Sequence, residues 1–284
     1  MHVRRHASAS EYLEVAGPML RKQPVVNQLA IAIAQTCVNE PERYGAGCIF
    51  YSVEDGGVVV GAALQTPPWP VQVSASPIEA ARELGRAFAS EPGTLDGVSG
   101  PDDAPGVFAE AYAAARGLHY KREQALGTFE LTAVTPLPAP AGRRIIAGPE
   151  HAELMQTWLA EFHAEAVPHD PPIRPDAGTR SAATGRAHLW LDETDAPVSY
   201  AFNNRDVDGW ASVGPVYTPR HARGRGFATA LVASLSQYLL DQGRPGCTLF
   251  TNLGNPTSNA IYQRIGYHRI GSACRYVFEI PRQS

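Results

Sequence analysis

Arg223-Gly224-Arg225-Gly226-Phe227-Ala228 stands between an apolar run of strand character, Val213 to Thr218, and a helix-like run, Phe227 to Gln242. A strand that breaks into a Gly-rich turn and opens a helix leaves several backbone N–H groups unpaired and pointing one way. Such a terminus attracts anions, a phosphate or pyrophosphate above all. The arginines beside the turn add positive charge where the helix dipole is already positive. The stretch therefore predicts a site for a phosphorylated ligand on an α/β scaffold.

The rest of the chain narrows the setting. Its 284 residues suffice for one large or two ordinary domains. A net charge of -4 sets up no basic field for nucleic acid or acidic lipid. No apolar stretch approaches the ~18 residues of a membrane span, and the polar Met1 to Ser10 lacks an export-signal core. Four cysteines, Cys37, Cys48, Cys247 and Cys274, show neither CxxC spacing nor disulfide density, so the expectation is a reduced, cytoplasmic setting. The preponderance of arginine over Lys22 and Lys121 is genome composition, not function.

Two halves share one order of elements. Each opens with an amphipathic helix, Ala9 to Leu20 and Pro149 to Ala166. Two strands across an acidic turn follow: Cys48 to Val53 and Val58 to Leu64, then His188 to Leu191 and Val198 to Phe202. A third strand (Val71 to Ser74; Ala211 to Thr218) runs into a helix (Pro77 to Ala89; Phe227 to Gln242). Short strands at Thr94 to Val98 and Thr248 to Thr251 lead to helices at Ala104 to Arg116 and Pro256 to Ile265. Both helices stop at a glycine, Gly117 and Gly266, the residue suited to a left-handed cap. Closing β segments follow at His119 to Ala133 and Tyr267 to Ile280. The reading is two tandem α/β (α+β) units of mixed, mostly antiparallel sheet: 1–134, a Pro-rich linker 135–144, and 145–284.

The turn is not a Walker A loop, because neither lysine follows a glycine. It is not a Rossmann fingerprint either, since Thr229 stands where a third Gly or Ala belongs. It fits Arg/Gln-x-x-Gly-x-Gly/Ala, with Arg223, Gly226 and Ala228 in the key places. A second motif follows a helix and a strand later: Asn255-Pro256-Thr257-Ser258-Asn259-Ala260-Ile261-Tyr262-Gln263-Arg264-Ile265-Gly266-Tyr267. Together they resemble the acetyl-CoA cradle and closing signature of the GNAT superfamily of acyltransferases, over roughly Arg144 to Ile280. Locally, Asn255 suits an N-cap and Pro256 the first helical position, which is structural reason enough for both. Tyr262 lies about two turns further on, at ~3.6 residues per turn.

The resemblance implies acetyl-CoA as cosubstrate. The amides of Arg225, Gly226, Phe227, Ala228 and Thr229 would hold its pyrophosphate, with Arg223 and Gly224 completing the turn. The main chain of Val216 and Thr218 would bind the pantetheine arm, with Tyr217 between them, and Asn255 and Ser258 would border the same pocket. Tyr262 would act as general acid to the departing thiolate. Many members place the general base, a Glu, on the fourth strand, yet Trp210 to Pro219 has no carboxylate. Glu161, His163, Glu165, His169 and Asp170 are the candidates, each also readable as ordinary surface charge, and a water chain would serve too. No further ligands accompany the histidines, so no metal is expected. Val167 to Gly185 reads as a long Pro-rich loop at the acceptor side.

The first half differs. Its equivalent helix begins at Ser74-Ala75-Ser76-Pro77, with no Gly-rich turn and no arginine pair. Ala113 stands where the tyrosine belongs, and Tyr112 is displaced one step. The expected function is acetyl transfer to a primary amine on a small molecule or peptide, by a monomer or homodimer without nucleic-acid or membrane partners. The alternatives are a non-catalytic acyl-CoA sensor or scaffold, and a protein handling another phosphorylated nucleotide.

Overall fold

The computed structural model describes residues 1–45, 47–168 and 170–280, and it divides into two units. The first contains β1 (His2–Arg5), α1 (Ala9–Leu20), α2 (Gln28–Asn39), β2 (Ile49–Asp55), β3 (Val58–Gln65), β4 (Val71–Ala75), α3 (Glu79–Ala89), β5 (Gly97–Pro101), α4 (Ala104–Arg116) and most of β6 (His119–Leu131). The second contains β7 (Arg143–Ile146), α5 (Ala152–Ala166), α6 (Ala177–Ala183), β8 (Ala187–Leu191), β9 (Pro197–Val207), β10 (Trp210–Tyr217), α7 (Phe227–Asp241), most of β11 (Cys247–Asn252) and α8 (Pro256–Ile265). The last strand, β12 (His268–Glu279), belongs to unit 2 through Ile270 and to unit 1 from Gly271.

That division differs from the contiguous one the linker composition suggests. From Gly271 the chain pairs antiparallel with β5, Ala273 opposite Pro101 through Val277 opposite Gly97. An unpaired β5 edge would leave a row of N–H and C=O groups without partners, and β12 satisfies it. Composition marks where a chain is loop-like, but not which edge a distant strand will cover.

Within unit 1 the sheet order is β1-β2-β3-β4-β5-β12-β6, and within unit 2 β6-β11-β10-β9-β8-β7. In unit 1 the β1/β2, β2/β3, β3/β4 and β12/β5 pairs are antiparallel and β4/β5 is parallel; in unit 2 the β7/β8, β8/β9 and β9/β10 pairs are antiparallel and β10/β11 is parallel. This is the mixed, mostly antiparallel sheet expected. The two glycine caps are also present, with φ of 65° at Gly117 and 113° at Gly266.

Three short elements depart from the sequence reading. β1 forms from the polar N-terminus, because pairing with β2 at an edge asks little of side-chain polarity. α2 is apolar without a clear stripe and has no capping side chain, so neither helix signal marks it. α6 interrupts the Pro-rich stretch 167–185: Gly178 sits where a Cβ would meet the Ala152 carbonyl at 2.1 Å, a packing visible only in three dimensions.

α7 buries Phe227, Leu231, Leu235 and Leu239 at four-residue spacing against β10 and β11 residues such as Val213 and Leu249. Each large side chain so buried contributes about 1.5–3 kcal/mol. α5 lies in a separate cluster with Met155, Trp158, Leu159, Tyr200 and Tyr217. Tyr217, ending β10, therefore faces α5, whereas Val213 and Val216 face α7.

Candidate cofactor and active site

β10 and β11 pair only at Ala211 with Cys247 and Ser212 with Thr248. Beyond that point β10 bulges: Val213 opposes Asn203 and Val216 opposes Ala201, three steps on one strand against two on the other. A bulge re-aims the backbone and ends regular pairing. The chain then makes a single 3-10 turn, Arg220–Ala222, and enters the glycine stretch.

Gly224 and Gly226 have φ of 77° and 84°, and Gly226 is the N-cap residue of α7. A Cβ at Gly224 would meet nothing within 4 Å, so conformation rather than crowding selects glycine there. The first turn-closing bond is Ala230 N–H to Gly226 O at 3.0 Å. Among the described residues, none of the N–H groups from Gly224 to Thr229 meets a protein acceptor, and no side chain caps the helix. Six such donors, in the glycine turn and the first turn of a helix at its positive end, are the kind of groups that hold a phosphate.

The arginines divide. Arg225 places its guanidinium 4.7 Å over the Phe227 ring. Arg223 donates from Nε to the Thr218 carbonyl at 2.8 Å and from Nη2 to Glu165 Oε2 at 2.7 Å. Arg220 also reaches Glu165, at 3.2 Å. The Arg223 hydrogen bond, followed by that of Arg220, holds the Glu165 carboxyl below its ordinary range.

Asn255 accepts from Ser258 N–H at 3.1 Å, as its place before Pro256 suggested. That bond occupies both groups structurally. Tyr262 is half-buried, with its ring edge-on to Tyr267 at 6.1 Å. Tyr267 is tied to Ser236 by a 2.8 Å hydroxyl pair, whereas the Tyr262 hydroxyl meets no protein partner among the described residues. Desolvation pushes its pKa up to about 12, so it keeps its proton throughout the neutral range.

Of the candidate bases, His163 spends Nε2 as a donor to the carbonyls of Asp170 and Pro171 at 3.0 and 3.1 Å. It pins the loop and has no acceptor to offer there. Glu165 is held by two arginines. His169 lies outside the described residues. Glu161 accepts the Tyr217 hydroxyl at 2.8 Å, and the Tyr217 pKa is raised by burial and by that carboxylate. Tyr217 was expected among the cofactor-binding residues; the reach of its side chain to Glu161 depends on which face of β10 the bulge presents, which no sequence pattern states.

Residues 206–277, spanning both motifs, match the family model of FR47-like proteins. No curated protein matches the chain. Among solved structures, a GNAT-family acetyltransferase from Colwellia psychrerythraea superposes with a TM-score of 0.59 at 13% identity, covering 99% of this chain and 100% of that one. A GCN5-related N-acetyltransferase from Sphaerobacter thermophilus gives 0.61 at 17%, covering 99% and 97%. A tandem GNAT protein from the clavulanic acid biosynthesis pathway gives 0.57 at 16%, covering all of both chains. This is a tandem GNAT fold.

The GNAT signature elements are unequally kept in the two units. In unit 1, α3 starts at Glu79, and its first N–H groups are already bonded: Ala80 to the Pro77 carbonyl at 3.1 Å and Ala81 to Ile78 at 3.0 Å. Tyr112, nearly fully buried, accepts Leu95 N–H at 2.9 Å. Among the described residues, no helix is long and apolar enough to cross a membrane.

Proposed function

We propose that unit 2 binds acetyl-CoA and moves its acetyl group to a primary amine of a small molecule or peptide, by direct attack and without a covalent enzyme intermediate. The row of unpaired N–H groups from Gly224 to Thr229, beside strands that part after Ser212, carries this reading. On it, Arg225 to Thr229 hold the diphosphate through backbone amides. The main chain of Val216, Tyr217 and Thr218 lies along the pantetheine arm, with an N–H near the bulge polarising the thioester carbonyl. Tyr262 donates its proton to the departing sulfur. A thiol of pKa about 8.5 is already a fair leaving group, so this assistance is modest. Unit 1, residues 1–134 as a sequence module, holds no cofactor on this reading.

A second reading, an acyl-CoA sensor without turnover, draws on the absence of a carboxylate in β10 and on the pairing of Arg223 with Glu165. Thiol release from acetyl-CoA, measured against polyamines, amino acids, aminoglycosides and peptides, separates the two. Release that rises with one amine class supports the transferase. Tight acetyl-CoA binding with no release in any arm supports the sensor, and equal affinity for acetyl-CoA and plain adenine nucleotides would remove both.

A further inference from the structure

On the reading of unit 2 as an amine acetyltransferase, the acceptor nitrogen must shed a proton as it attacks, and β10 offers no carboxylate to take it. The structure narrows the choice among the neighbouring groups on α5. Its apolar stripe, Met155, Trp158 and Leu159 with Phe162 partly buried, faces the sheet. Glu161 and Glu165, one turn apart on its surface, both bond to groups at the end of β10 or just beyond it. Glu165 is bound to Arg220 and Arg223, and His163 to two loop carbonyls. Glu161 differs: its Oε2 accepts the Tyr217 hydroxyl, while no bond to its Oε1 is present among the described residues. The side chain is exposed, so a proton it receives passes directly to water.

Tyr217 is well placed to hold that carboxylate. Its ring is 6% exposed and sits 6.3 Å from the Trp158 ring, in the cluster joining α5 to the sheet. A side chain so packed is held in place, and its hydroxyl bonds one oxygen of Glu161 and leaves the other without a bond among the described residues. Tyr217 also ends β10, the strand whose backbone runs along the parted edge.

We propose that Glu161 is the proton acceptor for the attacking amine and that Tyr217 is its positioning residue. The bound ammonium first passes one proton to Glu161, which releases it to solvent; the freed nitrogen lone pair then forms the C–N bond to the acetyl carbon, and the second N–H proton leaves by the same route. The C–S bond breaks, its electron pair stays on sulfur, and the sulfur takes a proton from Tyr262, which recovers one from solvent. The acceptor is thus recognised as a cation, its ammonium meeting a carboxylate, and amines already carrying an adjacent negative charge are poor substrates.

The test uses full-length Glu161→Gln, Glu161→Asp and Tyr217→Phe with the best amine of the panel. It reads kcat/KM against pH and acetyl-CoA affinity by calorimetry. Glu161→Gln is expected to lower kcat about 10²- to 10³-fold, to erase the acid limb of the profile and to leave acetyl-CoA affinity within about twofold. Glu161→Asp restores part of kcat and the limb. Tyr217→Phe lowers kcat about tenfold at unchanged acetyl-CoA KM and keeps the limb. Turnover of Glu161→Gln within a few-fold of the parent, or an acid limb that survives in it, overturns the proposal and leaves the transferase reading standing. Absence of acetyl-CoA-dependent turnover in the parent chain instead removes the reading beneath it.

Discussion

The helices α3 and α7 stand at the same place in their two units, after the fourth strand of an antiparallel run, yet their N-termini differ in kind. At α7 two glycines with positive φ, 77° and 84°, open the turn and leave six N–H groups without acceptors among the described residues. At α3 the turn closes on itself through bonds to Pro77 and Ile78, and Glu79 puts a carboxylate where the helix dipole is positive. The strands repeat the contrast. β9 and β10 bulge, and β10 leaves β11 after Ser212. β3 and β4 run in unbroken register, and at Gly100 of β5 a Cβ would lie 1.9 Å from the Val73 carbonyl, so β4 and β5 are still in backbone contact there. One topology thus leaves an open helix end in one unit and closed packing in the other. The difference lies in a few backbone conformations.

The strongest way to break that comparison is to close the open end. Arg223→Ala with Gly226→Asp forces a side chain into a left-handed position and places a carboxylate in the cradle. Acetyl-CoA affinity by calorimetry should fall about 10³-fold, in line with losing charged, desolvated contacts. Glu79→Gln in α3 should leave it unchanged. Retained affinity in the double variant would place the ligand elsewhere.

Acid offers a second contrast, because each unit buries a histidine. His188 in unit 2 is 1% exposed and bonded to Arg144 at 2.9 Å; desolvation first and Arg144 second lower its pKa from 6.5 to about 4. The folded state refuses a proton that the unfolded state accepts, so stability present above pH 6.5 is lost as pH falls toward 4, by about 3 kcal/mol. His6 in unit 1 is lowered too, mainly by desolvation, but Glu11 opposes the shift. Hydrogen exchange should show β8 and β9 losing more protection than β2 between pH 7 and 4.5, and His188→Asn should remove the excess. Equal losses in both units would refute the assignment.

The smallest contrast lies in two tyrosines. Tyr262→Phe should lower turnover about 10²-fold with acetyl-CoA binding little changed, at the modest end of general-acid effects. Tyr112→Phe strands the Leu95 N–H and should cost about 1–3 kcal/mol in denaturant unfolding, without touching kcat once the protein is folded. A Tyr262→Phe variant as active as the parent would leave the thiolate to depart unaided.

How legible the molecule is from its residues follows from the range of the interactions involved. α1, α4 and α8 have the bounds their caps and periodicity indicate, and Gly117 and Gly266 end helices as left-handed residues because each signal acts within one turn. The glycine pair at 224 and 226 was readable for the same reason. α6 was not, since its close approach to α5 depends on residues more than twenty positions away. The bases could be named as candidates but not ranked. His163 and Glu165 look as available as Glu161 until the loop carbonyls and the two arginines are seen to occupy them.

The sequence by itself determined the order of elements, the doubled α/β pattern and the place of the glycine turn before α7, because these rest on local backbone preference and on side-chain period. Only the tertiary structure decided that the strand from Gly271 pairs with β5, that α3 is closed while α7 is open, and that Tyr217 meets Glu161. Those outcomes depend on which edge lacks a partner and which face of a bulged strand meets a distant helix, and such long-range pairings leave no mark on neighbouring residues.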